Sequence, residues 1–320
     1  MFTIGMENTQ AFWVALIVGG ALALALGGLR CAKAGVEGRR VALATVLLPL
    51  LAAFFSHLLY GLADLENVLY TYSFGYLFAF WEKGYMLYGG MLGVLLALLL
   101  CGGKRRAAML EAYAPSGALM IAAARVCEGL LGQGYGEYFT DESALRRFPF
   151  MVYDAYYEEW CWALFVLEAL VALAIFVWLL CRKPTWRGDG TLLLAGLYAG
   201  AQIVLDSLRR DEFLRWGVVR VEEVVSAVVV LGVLIFYCAR SPRGKRLQKA
   251  LCFALYAAMI VLCLLLEFAT EGRIPFLLFL DVDACYIAMA VACAALMGCV
   301  LWMRRLSNAP QPAQGKESYE

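Results

Sequence analysis

The feature that most constrains this chain is a series of long apolar runs, readable at about 11–29, 41–62, 85–101, 108–124, 159–181, 190–208, 221–239, 250–267 and 284–303. Each approaches the ~20 residues needed to cross a hydrocarbon core. The apolar residues are continuous, without the spacing of a single buried face. Lipid offers no partner to backbone N–H and C=O groups, so each run must be helical. The chain therefore reads as an all-α, polytopic helical membrane protein with about nine transmembrane helices. Composition agrees, since 63% of the 320 residues are hydrophobic and only 17% are charged, a membrane balance.

Lys and Arg give the orientation, because basic loops are retained on the cytoplasmic side. With the N-terminus outside, the cytoplasmic stretches hold Arg30, Lys33, Arg39, Arg40, Lys104, Arg105, Arg106, Arg182, Lys183, Arg187, Arg240, Arg243, Lys245, Arg246, Lys249, Arg304, Arg305 and Lys316, which is 18 of the 27 basic residues. The opposite side collects Glu7, Asp64, Glu66, Asp141, Glu142, Asp211, Glu212 and Asp281. The expectation is an N-terminus outside and a cytoplasmic C-terminus; the net charge of +1 conceals this asymmetry. The first run has no basic residue before it and no clear small-residue cleavage site after it, so it reads as a retained span. Eleven cysteines lack any Cys-x-x-Cys pair and there is one His. No metal, cofactor or disulfide framework is expected from that set, and no nucleic-acid partner.

Two segments on the outer side are too polar for spans and too long for turns. Residues 64–84 carry Tyr70, Tyr72, Phe74, Tyr76, Phe78, Phe80 and Trp81, an aromatic set suited to the headgroup level. Residues 126–158 mix Gly129, Gly132, Gly134 and Gly136 with tyrosines and charges, as in a loop that dips into or covers a cavity. Three parts are expected: a seven-helix core over 1–243, two additional transmembrane helices over 244–305, and a disordered cytoplasmic tail over 306–320.

Ionisable groups in or at the ends of spans cost about 2.5–3.5 kcal/mol each at a helix centre, so each asks for a reason. Three clusters qualify: Arg125 with Glu128, Asp206 with Arg209 and Arg210, and Tyr153 with Asp154 and Glu158. The plain alternative for each is an interfacial ion pair that finishes a helix and snorkels to water, and Arg210, Arg146 and Arg147 are read that way. Arg125 differs, because it follows the small apolar run from Ala118 to Ala124 and its planar fork suits a phosphodiester. Taken with the family resemblance set out below, it is expected to face a cavity shared with Tyr88, Tyr153, Tyr198 and Arg209. On that basis Arg125→Lys should weaken lipid binding with folding nearly intact. Gly89-Gly90, at the start of the third run, reads first as close helix packing. His57, inside the second run, reads as a proton carrier or as a satisfied group in a helix interface.

These segments, in this order, resemble prolipoprotein diacylglyceryl transferase over about residues 1–240. The family's His-Gly-Gly-Leu-x-Gly is similar to Tyr88-Gly89-Gly90-Met91-Leu92-Gly93. Its Asp-x-x-Ala-Pro and its Gly-Arg-Ile-Gly-Asn-Phe-Ile-Asn-Gly-Glu-x-Tyr-Gly are similar to Glu111 through Pro115 and to Ala124 through Gly136. Phe148 through Ala155 resembles its His-Pro-x-Gln-Leu-Tyr-Glu-Ala, and Tyr198 through Arg209 its Tyr-Gly-x-x-Arg-Phe-x-x-Glu-x-x-Arg. At matched positions the family's His is Tyr88, its two Asn are Glu128 and Leu131, and its sixth-span Arg is Gln202.

The resemblance implies transfer of a diacylglyceryl group from phosphatidylglycerol, or a similar phospholipid, to a cysteine thiol of a lipoprotein precursor at the bacterial cytoplasmic membrane. It implies Arg125, Tyr88, Tyr198, Asp206 and Arg209 as catalytic residues. It implies Arg125, Arg209, Glu128, Gly132, Tyr135, Gly136, Tyr153, Asp154, Gly89 and Gly90 as lipid-binding residues. Such a reaction needs a cation for the lipid phosphate, which Arg125 and Arg209 could supply, and a way to deprotonate the thiol. Tyr88, with an ordinary pKa near 10, is a poor base. A non-catalytic relative that binds phospholipid or lipoprotein precursor stands as the alternative, because the replaced His, Asn and Arg positions are polar groups of the family's site.

Overall fold

A computed structural model describes residues 3–4, 8–139, 146–210, 214–217, 219–242, 245–270 and 282–308. Nine long helices carry the apolar runs: α1 (Thr9–Lys33), α2 (Gly38–Ala63), α4 (Leu87–Gly102), α5 (Arg106–Leu130), α6 (Leu164–Cys181), α7 (Asp189–Ser207), α8 (Val221–Arg240), α9 (Arg246–Thr270) and α10 (Val282–Ser307), with the short α3 (Leu65–Thr71) after α2. By length and hydropathy alone these form eight candidate membrane-spanning stretches among the described residues, because Leu87–Leu130 counts as one stretch of 44 residues. At 1.5 Å per residue such a stretch is about twice the thickness of a hydrocarbon core. It breaks at Gly103, whose φ of +49° is open to glycine, and a 3-10 turn over Gly103–Arg105 leads into α5.

Three boundaries differ from the sequence reading. The fourth run continues as helix to Leu130, so Arg125 and Glu128 lie inside α5 and do not follow its end. The fifth starts at Leu164 and not at 159, because Glu159–Trp162 is a strand paired with Met151–Asp154. Its side chains alternate across the ribbon, with Cys161 buried, and that pattern wins over simple hydropathy at the edge of the run. The expected tail starts two residues too early, since α10 runs to Ser307; the part of that tail beyond residue 308 lies outside the described residues. So do Asp141, Glu142, Asp211 and Glu212.

Spatial proximity divides the chain into two units, Met1–Leu194 with Leu205–Val225, and Ala195–Val204 with Ser226–Glu320. The division falls within α7 and α8. In the first unit α1 runs antiparallel to α5: Gly19 faces Ala123, Gly27 faces Tyr113, and the Asn8 amide donates to the Leu130 carbonyl at 3.0 Å. The Asn8 side chain caps α1 by accepting from the Ala11 amide. α2 and α4 also pack antiparallel, with Gly89 and Gly93 against the α2 backbone at Phe55 and Leu51. Small residues here let two backbones approach, the usual basis of helix packing in lipid. A core of Cys31, Ala44, Leu48, Ala97, Met109 and Tyr113 fills the end where Arg30, Arg40 and Arg105 lie.

At that same basic end Glu111 of α5 locks the α6–α7 connection. Its carboxylate pairs with Arg182 Nη2 at 2.6 Å and accepts from the Gly188 and Gly190 amides at 3.1 and 2.7 Å. A carboxylate on the first amides of α7 satisfies groups that a helix start leaves without partners. α7 then runs parallel to α5, with Thr191 bonded to the Leu110 carbonyl and Leu194 against Gly117.

At the opposite end the segment read as a loop supplies two strands of a four-stranded sheet, order β1-β3-β4-β2. Its strands are β1 (Thr3–Ile4), β2 (Tyr138–Phe139), β3 (Met151–Asp154) and β4 (Glu159–Trp162), with β1 parallel to β3 and the other pairs antiparallel. A second ribbon, β5 (Arg215–Trp216) and β6 (Val219–Arg220), leads into α8. In the second unit Gly196 of α7 packs against Val233 of α8 and Val300 of α10, and Gly200 packs against Leu296 and Met297. Tyr256 of α9 donates to the Ala227 carbonyl at 2.8 Å.

Candidate active site

The ends of four helices meet at the sheet-bearing side of the first unit and bring together charges that are far apart in sequence. Arg125 of α5 is 1% exposed, and three of its nitrogens meet carboxylates from three helices. Nη1 donates to both oxygens of Glu128 at 2.7 and 2.6 Å, Nε lies 3.3 Å from Glu168 of α6, and Nη2 lies 3.3 Å from Glu222 of α8. Arg209, just past α7 and also 1% exposed, reaches Glu128 and Glu168 at 3.7 Å each and Asp206 at 3.9 Å. Arg220, buried at the end of β6, donates to the Arg209 carbonyl at 2.8 Å.

The Arg125 and Arg209 guanidiniums are thus compensated at a depth where an uncompensated charge would be expensive. Glu222 and Glu223 occupy the first turn of α8, where the helix dipole favours acids. Glu128 differs from the other partners, because its side chain is 23% exposed while Glu168, Glu222 and Asp206 are essentially enclosed. Two buried arginines therefore converge on one carboxylate that reaches the surface. The expectation of an open Arg125 guanidinium is corrected: it is enclosed, and its fork is spent on protein carboxylates. Two open cavities of about 300 and 320 Å³ lie on another part of the chain, lined by Tyr60, Asp64, Tyr72, Tyr76 and Glu82 among others.

The remaining expected residues divide by place. Gly132 and Gly134 follow α5 with φ of +73° and +74°, a left-handed turn that side-chain-bearing residues rarely adopt. Gly136 sits beside Trp162 and Leu164, and its amide donates to the Trp162 carbonyl. The Tyr135 carbonyl accepts from the Arg210 amide at 3.0 Å, which ties this loop to the residue after Arg209. Tyr153 lies on β3 with its ring 5.6 Å from Trp160. Asp154 is buried and shapes the β3–β4 turn, accepting from the Tyr138 hydroxyl at 2.7 Å and from the Tyr156 amide at 2.8 Å. Burial and that bond to Asp154 push the Tyr138 hydroxyl well above its usual pKa of 10.

Tyr88 is buried at the start of α4, and Gly89 beside it serves α2 packing, while Gly90 has only loose neighbours. Tyr198 is fully buried in the α7 segment of the second unit. His57 has both ring nitrogens at carbonyls, Gly84 at 3.0 Å and Tyr76 at 2.8 Å, which fits the satisfied interface group and ties the 76–84 segment to α2.

Sequence reasoning missed Glu168, Arg220, Glu222 and Glu223. The signal was present, since Glu168 interrupts an otherwise apolar run and the glutamate pair opens another.

Residues 1–239 match the profile of prolipoprotein diacylglyceryl transferase. The chain belongs to that family. Among similar proteins, the phosphatidylglycerol–prolipoprotein diacylglyceryl transferase of Teredinibacter turnerae is 26% identical over 195 residues, which is 53% of this chain and 64% of that protein. The protein of the same name from Legionella pneumophila is 28% identical over 172 residues, 51% of this chain and 66% of that protein. The matched part thus spans just under two-thirds of the length of these curated relatives. Arg125, Glu128, Glu168, Asp206, Arg209, Arg220 and Glu222 all fall inside the family match, whereas α9 and α10 lie beyond it. The chain is a multi-pass protein of the bacterial cytoplasmic membrane.

Proposed function

We propose that this family member moves a diacylglyceryl group from a phospholipid, phosphatidylglycerol or one similar to it, to a cysteine thiol of a lipoprotein precursor. The observation that carries the reading is the convergence of Arg125 and Arg209 on Glu128. An oxyanion in place of that carboxylate would meet two enclosed guanidiniums, the arrangement that stabilises charge growing on a phosphate. The site faces outside the cytoplasm, opposite the basic ends at Arg30, Arg40, Arg105 and Arg182.

In the transfer, the cysteine sulfur attacks the glyceryl carbon that bears the phosphate. The carbon–sulfur bond forms as the carbon–oxygen bond breaks, and the bonding pair stays on the phosphate oxygen. Arg125 and Arg209 hold that oxygen's growing charge, with Arg220 bracing Arg209 through its carbonyl. The thiol proton passes to the departing phosphate monoester, whose second ionisation lies near 6. Tyr88 is then not required as a base.

A second reading has its own support. The nitrogens of Arg125 are engaged by Glu128, Glu168 and Glu222, as a non-catalytic phospholipid-binding relative would allow. One experiment separates the two: purified protein in phospholipid nanodiscs is incubated with a cysteine-bearing precursor peptide, and thioether formation is read by mass. A peptide heavier by one diacylglyceryl group supports transfer. Lipid binding without product refutes catalysis and favours the binding relative.

A further inference from the structure

The aromatic segment that follows α3 holds a cavity to which the transfer reaction assigns no task. It measures about 320 Å³ and is lined by Tyr72, Ser73, Tyr76, Ala79 and Glu82. Tyr72 and Tyr76 stack with ring centroids 4.5 Å apart and planes 12° from parallel. Tyr76 is held by several contacts: its hydroxyl donates to the Lys83 carbonyl at 2.6 Å, its own carbonyl lies 2.8 Å from His57 Nε2, and the two rings of Tyr76 and His57 are 4.8 Å apart. Tyr72 is the more open ring of the stack, 57% exposed. The aromatic wall thus exists before any ligand arrives, which lowers the cost of binding.

The charge on this wall is one-sided. Among the described residues that line the cavity, Glu82 is the one that carries a charge, while Lys83 lines the adjoining cavity together with Asp64. Burial, and then the acidic neighbours Tyr60, Tyr72, Glu82 and Tyr85, push the Tyr76 hydroxyl above its ordinary value. Surroundings that resist a negative charge in this way favour a positive one. Ring faces carry the negative side of the aromatic quadrupole, and a carboxylate beside them completes a box for a cation. A weakly hydrated cation gains most there, because a small hydrated one would give up its water for two rings and a single carboxylate. We propose that this cavity binds a methylated ammonium, with its methyl groups against the Tyr72 and Tyr76 rings and its charge toward Glu82. Phe74, Phe78 and Trp81 of the same segment are exposed and suit the headgroup level, so the ammonium can come from a lipid headgroup or from a free small molecule. The site uses none of the buried arginines or their carboxylates and does not depend on the transfer reading.

The test titrates two probes against the full chain in uncharged maltoside micelles: choline, and neohexyl alcohol, which has the same shape without the charge. Binding is read from the broadening of the probe's methyl proton signal. Choline should bind about five- to tenfold more tightly, the size expected of aromatic faces and one carboxylate at a partly exposed place. Tyr72→Ala and Glu82→Gln should each remove most of that preference, whereas Tyr72→Phe, which keeps the ring, should retain it. Tyr72 and Glu82 are both exposed, so these variants keep the fold. Equal binding of the two probes overturns the proposal, because an apolar hollow would treat them alike. Binding of neither overturns it too, as does a preference that survives either Tyr72→Ala or Glu82→Gln. Phosphatidylcholine added to the micelles displaces choline if the ammonium belongs to a lipid headgroup and leaves it bound if the ligand is a free cation; either result supports the ammonium site and names its source.

Discussion

Replacing Glu168 by Gln removes one negative charge from the deepest point of the buried network and changes almost no volume. Glu168 is fully enclosed, 3.3 Å from Arg125 Nε and 3.7 Å from Arg209 Nη1. At an effective dielectric constant of ~20 the gross attraction is about 4–5 kcal/mol per contact, most of it offset by taking the charges out of water. Removing one partner of a buried pair costs about 3–5 kcal/mol, because the other charge is left behind. Gln can still accept one hydrogen bond, which places Glu168→Gln near the lower end, about 3 kcal/mol. That is roughly a hundredfold in the folded-to-unfolded ratio. Equilibrium unfolding in mixed detergent micelles, followed by tryptophan fluorescence, would read it as a clear shift of the midpoint. Glu37→Gln, which removes the exposed partner of Arg40 at the basic end, should stay within about 0.5 kcal/mol as the control. A Glu168→Gln protein as stable as the unaltered chain would show that Glu168 carries no charge in the folded state. The account of how the arginines are neutralised would then be wrong.

Three further outcomes are expected. Gly89→Ala should destabilise by about 1–3 kcal/mol, since its methyl would run into the Phe55 carbonyl of α2, whereas Gly90→Ala, with no neighbour closer than 3.9 Å, should be near neutral in the same unfolding assay. Tyr138→Phe should cost about 1–3 kcal/mol by taking the donor from buried Asp154. Because the folded hydroxyl titrates above its ordinary value, that stabilisation is complete below pH 10 and fades as pH rises beyond it, so the variant should show a flatter loss in alkaline unfolding. A phosphatase reporter that works only outside the cytoplasm should be active when fused at Tyr156 and silent at Lys104; the reverse pattern would invert the orientation.

The positions of the spans were legible because lipid makes continuous hydropathy and helix nearly the same statement. The basic ends were legible too, and Arg30, Arg40, Arg105 and Arg182 do gather at one end of the first unit. The strand Glu159–Trp162 was not legible, because nothing in a short apolar stretch says whether it will find a pairing partner before it becomes helix. Arg125 and Arg209 stood out by sequence as charges in costly places.

What sequence alone decided, then, was that these arginines need a reason. Only the tertiary structure supplied it. Glu128 is one turn away and could be paired with Arg125 by helix spacing. Glu168 and Glu222 come from α6 and α8, and no local rule links them to α5. For the same reason the structure revises Arg125→Lys: a single ammonium cannot hold carboxylates from three helices, so folding should suffer along with binding. Local periodicity fixes which face a residue takes within its own helix. The partner that neutralises a buried charge is fixed by how helices distant in sequence pack, and that exists only once the chain has folded.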